Sequence, residues 1–194
     1  MNWMSKCATA LVMAATLAGC AGTKVVRPAD SELTLGKTTE QEVLTRLGKP
    51  FQEAAGLSNG KQTRTLGYAY ASMGNQPKTA GVTPVHGLTL VFSDGKLVSK
   101  AYMSNMKESA TDFDGAKVPL IEIGKTTVAQ VNTLFGPAPG EAIFPAIKQP
   151  VGRAAIYTYQ EMRGFTLSHK ALTVVFDPQG IVADVDYKNQ GKWN

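Results

Sequence analysis

The 194-residue sequence lacks the features on which several classes of protein depend. It has two cysteines, Cys7 and Cys20, so the chain beyond residue 20 cannot form a disulfide and must be held together by packing. The net charge is +5, but no run of Lys or Arg could follow a phosphate backbone, which argues against nucleic-acid binding. Beyond the N-terminus, no apolar run approaches the roughly 18 residues that a membrane-spanning helix needs.

Residues that could support catalysis or bind a metal are also scarce. The segment 56–60 fits the G-x-S-x-G pattern around Ser58, but a nucleophile elbow needs a strand before it and a helix after it, and the sequence here predicts a polar connector. His86 and His169 come just before matching predicted strands and lack cysteines or clustered carboxylates, so we expect loop histidines. We therefore predict a protein that is not an enzyme and has no metal and no cofactor.

The first twenty residues predict a lipoprotein signal peptide. Lys6 supplies a positive start, and the apolar run over residues 7–17 is too short to span a bilayer. Leu17-Ala18-Gly19-Cys20 resembles the bacterial lipobox, which implies cleavage after residue 19 and acylation of Cys20. By resemblance to lipoproteins of Gram-negative enteric bacteria, Ala21 implies an outer-membrane protein that faces the periplasm. An uncleaved anchor or an ordinary signal peptide is the alternative.

The rest of the sequence is an internal repeat, at a spacing that drifts from 88 to 84 residues. Because the drift falls between the matched segments, the gaps belong to loops. The matches are Leu35-Gly36-Lys37-Thr38-Thr39 with Ile123-Gly124-Lys125-Thr126-Thr127, Tyr68-x-Tyr70 with Tyr157-x-Tyr159, and Leu88-Thr89-Leu90-Val91-Phe92 with Leu172-Thr173-Val174-Val175-Phe176.

Each copy predicts the same elements. Thr39 with Glu42, and Thr127 with Gln130, have the spacing of a capping box and predict the start of a helix. Alternating apolar residues and Gly-containing turns then predict about three antiparallel strands. We predict an α+β fold of two tandem helix-plus-antiparallel-sheet units. The expected parts are a signal peptide (1–19), a lipidated tether (20–34), a first unit (35–106), a linker (107–120) and a second unit (121–190).

These motifs resemble those of the BamE (SmpA/OmlA) family of outer-membrane lipoproteins. The resemblance rests on Gly-x-Thr-Thr-x-x-x-Val-x-x-x-Leu-Gly-x-Pro, Tyr-x-Tyr and Leu-Thr-Leu-Val-Phe-Ser-Asp-Gly-Lys-Leu, covers residues 35–103 well, and fits residues 123–187 more loosely. It implies a non-catalytic accessory role in the machine that inserts β-barrel proteins, with a barrel-assembly or other envelope protein as partner. The tandem pair also resembles the β-lactamase inhibitory protein, which implies the alternative: capture of a periplasmic protein or ligand on a joined concave sheet.

Partner contacts are expected in two places. The tyrosines either line the exposed face of the sheet as a binding platform or face the helices as core, and the sequence leaves both possibilities open. The loops that differ between the copies are the second place, because divergent loops on a shared scaffold usually carry binding. The candidate partner-binding residues are Tyr68, Tyr70, Met73, Tyr157, Tyr159, Met162, Arg163 and Phe165.

Overall fold

The computed structural model describes residues 28–71, 74–191 and 193, so the predicted signal peptide, Cys20 and the start of the tether lie outside the described residues. Within those residues, one antiparallel sheet contains eight strands in chain order. The strands are β1 (Gln52–Ser58), β2 (Lys61–Ala71), β3 (Val85–Ser93), β4 (Lys96–Ser104), β5 (Gly140–Ala142), β6 (Arg153–Arg163), β7 (Thr166–Phe176) and β8 (Val182–Gln190). The α-helices are α1 (Glu40–Leu47) and α2 (Val128–Phe135), and short 3-10 helices span Asp30–Glu32 and Gly115–Leu120. We call the segment with α1 and β1–β4 the first repeat and the segment with α2 and β5–β8 the second repeat.

The predicted α+β class of two tandem helix-plus-sheet units is wrong. The described chain is mostly strand and forms a curled half-barrel from one continuous sheet. The short strand β5 makes the sheet continuous, because Gly140 pairs with Ala101 of β4 and with Ile156 of β6. A Cβ at Gly140 would lie 2.7 Å from the carbonyl oxygen of Lys100, so glycine is what permits this close approach. A three-residue strand has no readable alternation, which is why the sequence did not predict it.

The first repeat also contains a strand that was not predicted. Residues 52–58 form β1, an edge strand whose residues are almost all exposed, and β1 pairs with β2 along its whole length. Asn59 and Gly60 connect the two strands with positive φ angles of 46° and 79°. Positive φ at both central residues is the requirement of a type I′ hairpin turn, for which Asn-Gly is the preferred pair. The segment that looked like a polar connector is therefore a hairpin.

The predicted starts of both helices are confirmed. The Oγ1 atom of Thr39 accepts from the backbone N–H of Glu42 at 3.2 Å, and the Glu42 carboxylate accepts from the Thr39 N–H at 2.7 Å. Thr127 and Gln130 repeat the arrangement at 3.3 and 2.8 Å. Each box satisfies two N–H groups that the first helical turn would otherwise leave free. The hydrogen bonds of Glu42 with Thr39 also lower the pKa of the Glu42 carboxylate.

Equivalent backbone contacts fasten each helix to the sheet. The N–H of Gly36 donates to the carbonyl of Leu97 at 2.7 Å, and the N–H of Gly124 donates to the carbonyl of Val182 at 2.8 Å. Both helices therefore cover the same face of the sheet, each over its own hydrophobic cluster. The buried members of the first cluster are Leu33, Val43, Leu66, Tyr68, Leu88, Leu90, Phe92, Leu97 and Tyr102, and those of the second are Phe113, Val131, Tyr157, Leu172, Val174, Phe176 and Val182.

A buried asparagine connects the two repeats. Asn105 is fully buried, and its Oδ1 atom accepts from the N–H of Val85 at 2.7 Å. Its Nδ2 atom donates to the carbonyl of Thr83 at 3.0 Å and to the carbonyl of Gln160 at 3.3 Å. One amide thus satisfies three backbone groups from both repeats, as buried polar groups require. The repeats are joined by side-chain contacts as well as by β5.

Candidate functional site

The first tyrosine of each matched pair belongs to the core. Tyr68 is 2% exposed and Tyr157 is 1% exposed. Their hydroxyls donate to the carbonyls of Gly48 at 3.0 Å and Gly136 at 2.9 Å, the residues at which α1 and α2 end. Burial raises the pKa of the Tyr157 hydroxyl to about 12 and also raises the pKa of Tyr68. The platform interpretation fails for both residues, which instead satisfy a helix-terminal carbonyl.

The second tyrosines also fail to form an exposed platform. Tyr159 is 1% exposed, stacks on Trp193 with ring centres 6.0 Å apart, and donates to Oε1 of Glu161 at 3.1 Å. Burial raises the pKa of its hydroxyl to about 12. Tyr70 is half-buried, with its ring centre 5.4 Å from that of His86. We therefore exclude Tyr68, Tyr157 and Tyr159 as partner contacts, because their side chains are buried.

The β6–β7 hairpin carries the exposed candidates. Phe165, at the turn, has a relative exposure of 108%, and Met162 has 42%. Leu167 pairs with Met162 across the hairpin and is 51% exposed. We call Met162, Phe165 and Leu167 the apolar hairpin tip. Leu167 was not predicted, although its place two residues beyond Phe165 would have identified it once the turn was known. Met73, the remaining candidate, lies outside the described residues.

A buried carboxylate fixes the base of this hairpin. Glu161 is 5% exposed, and its Oε1 atom accepts from the hydroxyl of Thr79 at 2.5 Å. Its Oε2 atom accepts from the guanidinium of Arg163 at 3.3 Å, and the N–H of Thr83 donates to the carbonyl of Met162 at 2.9 Å. Arg163 is therefore a positioning residue rather than a free contact. The 74–84 loop of the first repeat holds the hairpin of the second.

A second polar cluster lies beside these residues. The ammonium group of Lys170 lies 2.6 Å from a carboxylate oxygen of Asp112 and donates to the carbonyl of Phe113 at 2.6 Å. Lys78 pairs with the other carboxylate oxygen of Asp112. Burial alone would raise the pKa of Asp112, but the hydrogen bonds and charges of Lys170 and Lys78 outweigh it and lower the pKa. The rings that approach the Lys170 ammonium are those of Phe113, Tyr159 and Trp193, at 5.0, 5.5 and 5.0 Å.

The remaining sequence candidates do not form a reactive site. His86 and His169 lie within β3 and β7 rather than in loops, and the strand register places them on opposite faces of the sheet. Ser58 ends a strand and donates to the carbonyl of Pro145 at 2.7 Å, so its hydroxyl is engaged in a structural contact. Within the described ranges, no three His, Cys, Asp or Glu side chains gather into a metal-binding group.

A cleft of about 410 Å³ opens where the two repeats meet, on the helix-covered face of the sheet. Three charged side chains cross it: Lys100 lies 3.1 Å and Arg153 lies 3.3 Å from separate oxygens of Glu141. Lys100 is almost completely buried, whereas the Arg153 side chain is 67% exposed. The apolar wall includes Val128 and Phe176. This site was not predicted from the sequence, although a matched pair of charges recurs in the repeat, with Glu53 and Arg64 at the corresponding positions.

In the part of the chain that the structure describes, none of the helices is long and apolar enough to span a membrane. No family model matches the chain, and no curated protein matches it. Among solved structures, it is similar to the crystal structure of a DUF4309 family protein (YjgB) from Bacillus subtilis, at 15% identity and a TM-score of 0.25, over 81% of this chain and 82% of that one. A likeness at this level assigns neither a fold nor a function.

Proposed function

We propose that this chain is a non-catalytic lipoprotein, anchored through Cys20 to the outer membrane and facing the periplasm, that binds another envelope protein through the apolar hairpin tip. The observation that carries the proposal is the full exposure of Phe165 beside the half-exposed Met162 and Leu167. Large apolar side chains grouped at one protruding site mark interaction surfaces on soluble domains. The hairpin base is held rigidly by Glu161 and the 74–84 loop, which lowers the entropic cost of presenting these side chains to a partner.

The partner we propose first is a component of the machine that assembles β-barrel proteins. The motif resemblance to the BamE family supports this accessory role, and the resemblance of residues 17–20 to a lipobox, followed by Ala21, supports a location at the same membrane. The alternative is an inhibitor-like capture of a periplasmic protein on the open face of the sheet. The burial of Tyr68, Tyr157 and Tyr159 weakens that alternative, because the aromatic residues face the helices instead.

The test is a crosslinking pull-down from membranes with tagged full-length protein, read by mass spectrometry. Wild type is compared with Cys20→Ala, which removes the acylation site, and with Phe165→Ser, which removes the most exposed residue of the tip. Phe51→Ser is the matched control, because Phe51 is also an exposed phenylalanine, at 69%, but precedes β1 in the first repeat. Circular dichroism of each variant checks that the sheet is retained.

We expect barrel-assembly components with wild type and Phe51→Ser, and their loss with Cys20→Ala and Phe165→Ser. Recovery of one different partner that Cys20→Ala retains would sink the accessory role and favour the capture alternative. Equal recovery by wild type and Phe165→Ser would show that the hairpin tip is not the contact.

A further inference from the structure

In the first repeat, side chains fill and cover the space between α1 and the sheet. Leu66 of β2 is fully buried, and Leu44 of α1 packs against the same cluster. At the rim, the guanidinium of Arg64 contacts Glu40 at 2.8 Å and Glu53 at 2.6 Å. The hydrogen bond with Glu53, followed by the charge of Glu40, raises the pKa of Arg64. Apolar side chains thus fill the interior, and an ion pair from the helix to the sheet covers it.

The second repeat has smaller or unlike side chains at the corresponding positions. The capped helices align with a shift of 88, so Glu40 corresponds to Val128 and Leu44 to Asn132. Strands β2 and β6 align with a shift of 89, so Leu66 corresponds to Ala155. All three residues of the second repeat line the cleft.

The charge pair on the sheet is retained, but its partner on the helix is lost. Arg153 corresponds to Arg64, and Glu141 corresponds to Glu53. Arg153 keeps the pair across the sheet, with Glu141, but Val128 offers no carboxylate to match Glu40, and 67% of the Arg153 side chain is exposed. The cleft is therefore the place where the second repeat lacks both the apolar side chains that fill the first repeat and the ion pair that covers it.

Of the three ion-paired side chains in the cleft, Arg153 is the most exposed, so the mouth of the cleft presents a guanidinium. Lys100 and Arg153 both contact Glu141, which leaves one cation in excess within this group. Asp177 also lines the cleft and brings the sum of its four formal charges to zero, but its Oδ1 atom accepts from the N–H groups of Gln179 and Ile181, which hold this carboxylate in the β7–β8 turn. A guanidinium with exposed N–H groups matches the geometry of a carboxylate or a phosphate.

The walls of the cleft suit an apolar group. Val128, Ala138, Ala155 and Phe176 line it, and its volume of about 410 Å³ lies in the range of roughly 300–1,000 Å³ that is typical of small-molecule sites. Apolar walls with a few placed polar groups are the usual composition of such sites.

We propose that the cleft binds a small amphipathic anion, with its carboxylate or phosphate on Arg153 and its short apolar chain against Val128, Ala155 and Phe176. This site is separate from the apolar hairpin tip, since the tip lies at the opposite end of β6 from Arg153. The proposal therefore does not depend on the partner-binding function.

The test uses the full-length protein in lipid nanodiscs and four probes with six carbon atoms each: hexanoate, hexyl phosphate, hexanol and hexylamine. Saturable binding is followed by calorimetry and by chemical-shift changes. We expect at least one of the two anions to bind roughly tenfold or more tightly than hexanol and hexylamine, because an anion makes a charge-assisted pair with the outward guanidinium, whereas hexanol is neutral and hexylamine carries a like charge. The relative affinity for hexanoate and hexyl phosphate distinguishes a carboxylate ligand from a phosphate ligand.

Three variants locate the binding. Arg153→Gln removes the charge, Ala155→Leu fills the interior as Leu66 does, and Val128→Glu restores the covering ion pair that Glu40 makes with Arg64. Each should weaken anion binding roughly tenfold or more. Arg64→Gln is the matched control, because it makes the same change at the corresponding position of the first repeat, and it should bind as wild type does.

Two results would overturn the proposal. One is the absence of saturable binding of both anions to wild type at millimolar concentration, and the other is equal binding by wild type, Ala155→Leu and Val128→Glu. Val128 is 40% exposed, so Val128→Glu places its carboxylate at the surface and is expected to fold even if Ala155→Leu does not.

Discussion

Leu66 of the first repeat and Ala155 of the second occupy the same place in the sheet, yet they leave different interiors. Leu66 is fully buried in a closed core, whereas Ala155 lines an open cleft. The strand register around the two residues is equivalent, since Leu66 pairs with Glu53 and Leu90, and Ala155 pairs with Glu141 and Val174. The same arrangement of helix and strands can therefore enclose a filled core in one repeat and a cleft in the other.

The residues that the two repeats share explain how the same arrangement of helix and strands tolerates a filled core in one repeat and a cleft in the other. Thr39 and Thr127 both cap a helix, and Tyr68 and Tyr157 both bond a helix-terminal carbonyl. These contacts satisfy backbone groups, which any copy of the fold must satisfy. The side chains that only fill space are free to differ, because a smaller residue weakens the core without removing a backbone hydrogen bond.

The largest expected effect on stability comes from creating a cavity in the core of the first repeat. Leu66→Ala should lower the free energy of unfolding by about 2–5 kcal/mol, because it removes a fully buried side chain and leaves a cavity. The measurement is urea unfolding followed by circular dichroism. Ala155→Leu, the reverse change in the second repeat, should shift the midpoint far less, because the cleft offers room for the added atoms. Equal losses in the two variants would show that the cleft is not an unfilled core.

The sequence predicted the shared structural residues of the two repeats better than it predicted the candidate site. Thr39, Glu42, Gly48 and Tyr68 recur with their counterparts because each has a local backbone role, and local roles leave a pattern. The residue pattern did not predict how the strands of the two repeats join, since the join depends on the short strand β5 and on Gly140 fitting against β4, and a joined sheet was expected only through the resemblance to the β-lactamase inhibitory protein. The short strand and the close packing are tertiary facts without a periodic signal.

The candidate site was predicted only in part, for the same reason. Met162 and Phe165 stand out because their loop differs between the copies, and they are exposed. Tyr68 and Tyr157 recur because they are core residues, so their repetition indicated structure rather than binding. The cleft exists because the second repeat has Ala155 where the first has leucine and Val128 where the first has glutamate. These substitutions can be recognised as a cleft only when the two repeats are aligned in the folded structure.

A smaller effect tests whether the shared tyrosines have the same role in both repeats. Tyr68→Phe and Tyr157→Phe should each lower the free energy of unfolding by about 1 kcal/mol at neutral pH, because each leaves a glycine carbonyl without its donor. Urea unfolding of the two variants measures this. A loss in one repeat but not in the other would show that the hydroxyls are not equivalent.

The same variants predict a dependence on alkaline pH. Burial raises the pKa of Tyr157 from its ordinary value of 10.0 to about 12, so the folded state favours the neutral hydroxyl. Its stabilisation is fully present below pH 10 and is lost as the pH rises through about 12. The stability difference between wild type and Tyr157→Phe should therefore be constant below pH 10 and shrink above it. A difference that grows with pH would contradict the assignment.

The smallest effect concerns the ion pair that covers the first repeat. Glu40→Val copies the residue of the second repeat, and it should change the free energy of unfolding less than Tyr68→Phe does, because Arg64 is half-exposed and keeps Glu53 as a partner. The variant alone should bind hexanoate only as wild type does and gain no second site, since Leu44 and Leu66 still fill the space in the first repeat. The double variant Glu40→Val with Leu66→Ala should acquire a second, weaker hexanoate site, which calorimetry would show as an increased stoichiometry. If Glu40→Val alone gains that site, then the covering ion pair, and not the interior filling, is what distinguishes the two repeats.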